Sequence, residues 1–121
     1  MRKIRAISLH QPWAAYIAEG LKTIETRTWE TNCRGDILIC STKKTAGNIP
    51  AGPRFPKGKA LAVVELYGCR RMLKRDEEAA MCPYEGGRWS WLIRNIRKIE
   101  RPFDVRGRQG IFTVEMTEEK G

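Results

Sequence analysis

Three charged side chains stand close together in Gly20-Leu21-Lys22-Thr23-Ile24-Glu25-Thr26-Arg27. Glu25 and Arg27 are two residues apart, so on a strand they share a face while Ile24 and Thr26 point the other way. That pattern suits a wall packed on one side and open to a polar ligand on the other. Lys22 precedes the strand at a turn, from which its flexible ammonium reaches the same opening. Lys22, Arg27, Lys43 and Lys44 offer contacts to phosphate. Glu25 offers an acceptor for an exocyclic amine. Trp29 continues the parity of Glu25 and Arg27 and offers a stacking surface for a splayed base, as do Trp13 and Tyr16. A solvated strand with a surface ion pair would show the same spacing, and such a pair contributes little to stability.

The elements that position these residues follow from pattern. Trp13, Ile17 and Leu21 are spaced by four, as on one helix face. Pro12 suits a first helical turn and Gly20 a positive-φ stop, so the main helix is predicted from Pro12 to Glu19. Thr23 to Thr31 reads as a strand, rich in Thr, Ile and Trp. Asn32-Cys33-Arg34-Gly35 reads as a turn, and Asp36 to Ser41 as a buried strand forming a hairpin with it. Thr42 to Lys59 is broken by glycine and proline and carries five basic residues and no acid, which suits a basic flap.

Ala60 to Tyr67 is the most continuous apolar run and predicts a central strand. Glu65 within it must point outward or meet a cation such as Arg27 or Lys22, because a lone buried acid is costly. Lys74 to Met81 reads as a short helix and Arg88 to Glu100 as a strand. Arg101-Pro102-Phe103 reads as a turn and Arg106 to Gly110 as a basic glycine loop. Ile111 to Met116 reads as the last strand and Thr117 to Gly121 as a polar tail. Trp13 and Trp91 are expected chiefly in the core. With Ile4 to Leu9 reading as the first strand, about six strands, one main helix and one or two short ones, with no repeating β–helix–β rhythm, predict an α+β fold built on a small mixed barrel.

Composition limits the function classes. The 121 residues correspond to one domain, with 23 Lys and Arg against 14 acids and a net charge of +9. Such an excess favours an anionic partner, most simply nucleic acid. No basic amphipathic helix with a broad apolar face suggests a membrane surface. The four cysteines form no close pair and His10 is the single histidine, so no metal site and no cofactor is expected. The absence of an apolar leader or a spanning run points to a cytoplasmic protein with reduced thiols.

Taken with Ser8-Leu9-His10-Gln11-Pro12-Trp13-Ala14 and Arg34-Gly35-Asp36-Ile37-Leu38-Ile39, the pattern Gly20-x-Lys22-x-x-Glu25-x-Arg27 resembles the ASCH domain. Trp91-Leu92-Ile93 and Arg108-Gln109-Gly110-Ile111-Phe112 extend the resemblance over nearly the whole chain. The resemblance implies a PUA-like barrel with a cleft beside the first helix. It also implies RNA or a nucleotide as partner, with DNA a further candidate. One branch of the family hydrolyses N4-acetylcytidine with a lysine and a threonine of this motif and a later glutamate. Lys22 matches the lysine, Glu25 stands at the threonine's position, and Glu65 is the candidate glutamate. Another branch is linked to RNA cleavage, with a tyrosine six residues before the lysine, where Tyr16 stands. Three readings stay open: an RNA- or nucleotide-binding module, a small hydrolase on a modified nucleoside or RNA, and a protein-interaction module. The candidate catalytic residues are Lys22, Glu25, Tyr16 and Glu65. The candidate ligand contacts are Lys22, Glu25, Arg27, Trp29, Lys43 and Lys44.

Overall fold

A computed structural model describes residues 2–45, 47, 49 and 52–116. Its elements are β1 (Arg2–Gln11), α1 (Trp13–Ala18), β2 (Ile24–Arg27), β3 (Gly35–Thr45), β4 (Lys59–Arg71), a 3-10 turn (Lys74–Asp76), α2 (Glu77–Ala80), β5 (Trp89–Asp104) and β6 (Phe112–Met116). The strands form one sheet in the order β2-β5-β4-β3-β1-β6. It curls into a half-barrel whose edge strands are β2 and β6. The mixed α+β barrel of six strands is therefore present. The tail predicted for Thr117 to Gly121 lies outside the described residues, as do Met1 and positions 46, 48, 50 and 51 of the basic loop.

The core explains the order. Along β3, Ile37, Leu38, Ile39 and Cys40 are all almost fully buried, because both faces of the central strands are covered. Ile37 and Ile39 join Ile7, Leu9, Val64, Leu66, Trp91 and Ile93 in one cluster, against which α1 packs Ala14, Ile17 and Ala18. Leu38 and Cys40 face a second cluster with Ile4, Ala6, Ile99 and Met116. A third, Ile24, Met72 and Ala80, seats the 3-10 turn and α2 against β2.

Four expectations need correction. The hairpin of β2 with β3 is absent: β3 pairs parallel with β1 and antiparallel with β4, while β2 pairs with β5. Parallel partners need a long crossover, and α1 and β2 lie within it. β2 itself ends at Arg27, so Trp29 is placed by the following bend and not by strand parity. Arg101-Pro102-Phe103 does not end β5. The partners of Ala60 and Ala62 are Phe103 and Lys98, so Pro102 falls in a bulge where no ladder bond is lost. The helix is shorter by one residue at each end than predicted, with Pro12 as N-cap and Glu19 as C-cap.

The ends of α1 are locally determined. Gln11 Oε1 accepts from the Ala15 amide at 3.0 Å, and its Nε2 donates to the Pro56 carbonyl at 2.7 Å. One buried amide thus serves a helix start and a loop. At the other end Gly20 adopts φ +81°. The Gly20 amide donates to Ile17 O and the Leu21 amide to Tyr16 O, the paired bonds of a Schellman stop.

Candidate nucleic-acid cleft

The Gly20 stop sets the direction of Lys22, whose amide also donates to Tyr16 O at 3.1 Å. The chain is then clamped from both sides. The Thr23 amide donates to Ala79 O and the Ile93 amide to Thr23 O, and β2 runs antiparallel to β5 with Glu25 opposite Trp91 and Arg27 opposite Trp89. A glycine, a helix and a strand pairing therefore fix where the charged tips go.

Those tips converge. Glu25 Oε2 accepts from Arg27 Nε at 2.9 Å, and Glu25 Oε1 lies 3.7 Å from Lys22 Nζ. Arg27 Nη2 donates to the Ser8 carbonyl at 3.2 Å, tying the motif to β1. Lys22 is not the flexible turn lysine of the sequence reading. It is 3% exposed, its ammonium donates to the Ala80 carbonyl, and it lies 5.6 Å from the centroid of the Trp13 ring. Burial holds its pKa below the ordinary lysine value, although Glu25 works in the opposite direction.

These residues line a cleft of about 1860 Å³. Small-molecule sites commonly hold about 300–1,000 Å³, so this one has room for more than a nucleoside. Its walls come from the end of β1, Trp13, β2 and the bend after it, the end of β3, the loop after α2, and the connection from β5 to β6. The structure brings Lys22, Glu25, Arg27, Trp29, Lys43 and Lys44 to this one cleft. Trp29 is 39% exposed yet well held. It meets the Trp91 ring edge-on at 4.7 Å, and its carbonyl accepts from Trp91 Nε1 at 3.2 Å.

Two candidate residues lie elsewhere. Tyr16 turns onto Phe55, with ring centroids 6.1 Å apart, and carries the Arg54 guanidinium 5.4 Å from its ring. Glu65 sits across the sheet, where Arg94 donates to it at 2.9 Å; its partner is thus neither Arg27 nor Lys22. Trp91 is a core residue at 1% exposure. Trp13, expected in the core, is half-buried against it and also lines the cleft.

Sequence reasoning overlooked several lining residues. Arg88 donates to the Thr26 hydroxyl and carbonyl at 3.2 and 2.9 Å. The loop carrying Arg106 and Arg108 closes over β1, so tightly that a Cβ on Gly107 would stand 3.0 Å from Ser8 Oγ. Among the described residues, Ser8 Oγ is buried there without a hydrogen-bond partner. His10 Nδ1 lies 2.6 Å from Thr42 Oγ1 on the same wall. The available signal was the run Arg106-Gly107-Arg108-Gln109-Gly110, a glycine-flanked basic loop that the pattern alone left without a place.

The charge balance of the cleft is uneven. Its acids are engaged: Glu25 with Lys22 and Arg27, Asp104 with Lys59 at 2.5 Å, and Glu85 with Arg88 at 3.9 Å. Among the described residues, Lys43, Lys44, Lys57, Arg106 and Arg108 line the cleft without an ion pair. Also among them, no group of three or more His, Cys, Asp or Glu is placed to hold a metal ion, and no helix is long and apolar enough to cross a membrane.

Residues 7–103 match the ASCH domain, and the chain belongs to that family. Its fold is that of an ASCH protein from Zymomonas mobilis, with a TM-score of 0.70 at 17% identity, covering 93% of this chain and 87% of that one. The chain is also similar to activating signal cointegrator 1 of Mus musculus and of Homo sapiens, in each case 24% identical over 127 residues. Those matches cover 90% of this chain but 22% of each relative, so the chain spans about a fifth of their length.

Proposed function

We propose that the cleft binds RNA or a nucleotide, with phosphates on its basic rim and an unpaired base at its deep end. The observation that carries this reading is the convergence of Lys22, Glu25 and Arg27 beside an exposed Trp29, under a rim whose cations form no ion pair among the described residues. Lys43, Lys44, Lys57, Arg106 and Arg108 meet phosphate. Trp29 stacks a splayed base. The buried triad works differently from the rim. Glu25 holds Arg27 and Lys22 in fixed positions, so their donors are organised before ligand arrives, which lowers the cost of binding.

The test is fluorescence anisotropy of a labelled single-stranded RNA against the wild type and the Lys43→Ala/Lys44→Ala double variant. The slope of log K against log salt is about −0.7 per phosphate contact on single strands. The wild type is expected to bind with a steep slope, and the double variant with a slope shallower by about 1.4. Binding indifferent to salt, or an unchanged slope in the variant, overturns the proposal.

A second reading has its own observation. Lys22 is buried, its pKa is lowered, and it lies beside Glu25. A lysine of that kind supplies or accepts a proton more readily than a free one, as hydrolysis of an N4-acetylcytidine amide requires. Turnover of N4-acetylcytidine that disappears in Lys22→Ala supports this reading. Absence of turnover in the wild type removes it and leaves the binding reading intact.

A further inference from the structure

The sheet register carries a row of side chains beyond the cleft. Arg27 of β2 is opposite Trp89 of β5, and Trp89 is opposite Arg71 of β4. Directly opposed residues on antiparallel strands lie on the same face. The Arg71 guanidinium stands 4.7 Å from the centroid of the Trp89 ring. Adjacent strands are about 4.8 Å apart, so Arg71 lies roughly 10 Å from the cleft residue Arg27 along the row. The carbonyl of Arg88, which lines the cleft, accepts from the Met72 amide at 3.0 Å. The cleft wall and the end of β4 are thus joined by a backbone hydrogen bond.

Just past Arg71, the 3-10 turn presents Lys74 and Arg75, both exposed. Their local acid is already spent. Asp76 is buried, with Arg70 donating to it at 2.6 and 2.8 Å, the Leu73 amide at 2.8 Å and Ser90 Oγ at 2.9 Å. This network holds the turn rigid. Glu77 accepts from the Tyr84 amide at 2.6 Å, which leaves Glu78 as the neighbouring exposed acid. Among the described residues, Arg71, Lys74 and Arg75 take part in no ion pair. They form a fixed basic patch, held in place by buried groups, at the end of a row that begins in the cleft.

We propose that this patch is a second phosphate-contact surface, over which a single-stranded RNA continues after leaving the cleft past Arg27 and Trp89. The inference rests on the cleft reading above and adds a length requirement to it. A strand that only fills the cleft does not reach the patch; a longer one does.

The test compares labelled oligouridylates of about 5 and about 15 nucleotides, within and beyond the span a small single-strand-binding fold usually covers. They are titrated against the wild type, Arg71→Ala/Lys74→Ala/Arg75→Ala and Arg71→Lys. The triple variant is expected to bind the long strand about ten-fold more weakly, with a salt slope shallower by about 2, and the short strand as the wild type does. Arg71→Lys keeps the charge and is expected to bind both strands as the wild type does. If the triple variant unfolds by circular dichroism, Lys74→Ala/Arg75→Ala, on exposed positions, replaces it, with a slope change of about 1.4 expected. Equal binding of the long strand by variant and wild type overturns the patch and leaves the cleft reading standing. Equal weakening of both lengths also overturns it, because the charges then act only through the general field. A wild type that binds neither length ends the cleft reading and this one with it.

Discussion

Lys22 is where opposing forces meet at one atom. Burial disfavours its ammonium, Glu25 favours it, and burial prevails, so its folded pKa lies below the ordinary value of 10.5. Between those two values the unfolded chain binds more protons than the folded one, and the residue's contribution to stability rises with pH. Below the folded pKa the full cost of the buried ammonium is present. We therefore expect the unfolding free energy of the wild type, measured in urea against Lys22→Met, to improve relative to the variant as pH rises from neutral toward the ordinary lysine value of 10.5. A difference that stays flat across that range contradicts the burial argument. Trp29 bears on binding and stability together. Trp29→Ala removes a base platform and should cost about 1–3 kcal/mol of RNA affinity, a loss read by anisotropy. It also removes one edge-on aromatic contact, so thermal denaturation should report a smaller loss of about 1 kcal/mol in stability. Unchanged affinity would assign Trp29 to packing alone.

At the scale of elements, the sequence was legible where local chemistry decides. Gly20 announced the helix stop, and the apolar run from Ala60 announced a central strand. The tight grouping of Lys22, Glu25 and Arg27 was readable because all three lie within eight residues. It was not readable which strand would lie beside which. Asn32 to Gly35 looks like a hairpin turn, yet the chain there crosses the barrel to place β3 beside β1. Pro102 looks like a strand end, yet a bulge accommodates it. Tyr16 stands at the offset the resemblance suggested and Glu65 was the candidate later glutamate, but packing on Phe55 and pairing with Arg94 take them elsewhere. Long-range pairing decided each of these, and no local pattern encodes it.

The 3-10 turn is an element that can be tested alone. Arg70, first among several donors, holds the Asp76 carboxyl far below the usual carboxylate range. Its stabilising contribution is complete above the unfolded value of about 3.9 and is lost as pH falls toward the folded one. Asp76→Asn should therefore cost about 2–3 kcal/mol at neutral pH, since it removes charge-assisted bonds while Arg70 keeps partial access to water. The variant should also lose less stability than the wild type between about pH 4 and pH 2. Parallel acid profiles for the two proteins would contradict this assignment.

At the scale of the whole molecule, the charge of +9 is not spread evenly in its effect. On the outer sheet, Asp36 takes Arg97 at 2.6 Å and Glu65 takes Arg94 at 2.9 Å, so much of the basic charge there is matched. The cleft acids are matched as well, but to cations of the buried triad, Lys59 and Arg88. Among the described residues, the rim cations Lys43, Lys44, Lys57, Arg106 and Arg108 stay outside any ion pair, as do Arg71, Lys74 and Arg75 of the second patch. A half-barrel with its edges unjoined leaves room for that rim, and the motif supplies the floor.

The most direct measurement of this claim is a backbone and indole amide NMR titration with single-stranded RNA. We expect shifts to concentrate at Trp29, Lys43, Lys44, Arg88 and Arg106 to Gly110, with the Trp29 indole moving more than that of Trp91. Shifts confined to the outer face around Tyr67 and Arg94, with the cleft residues unmoved at saturating RNA, would contradict it.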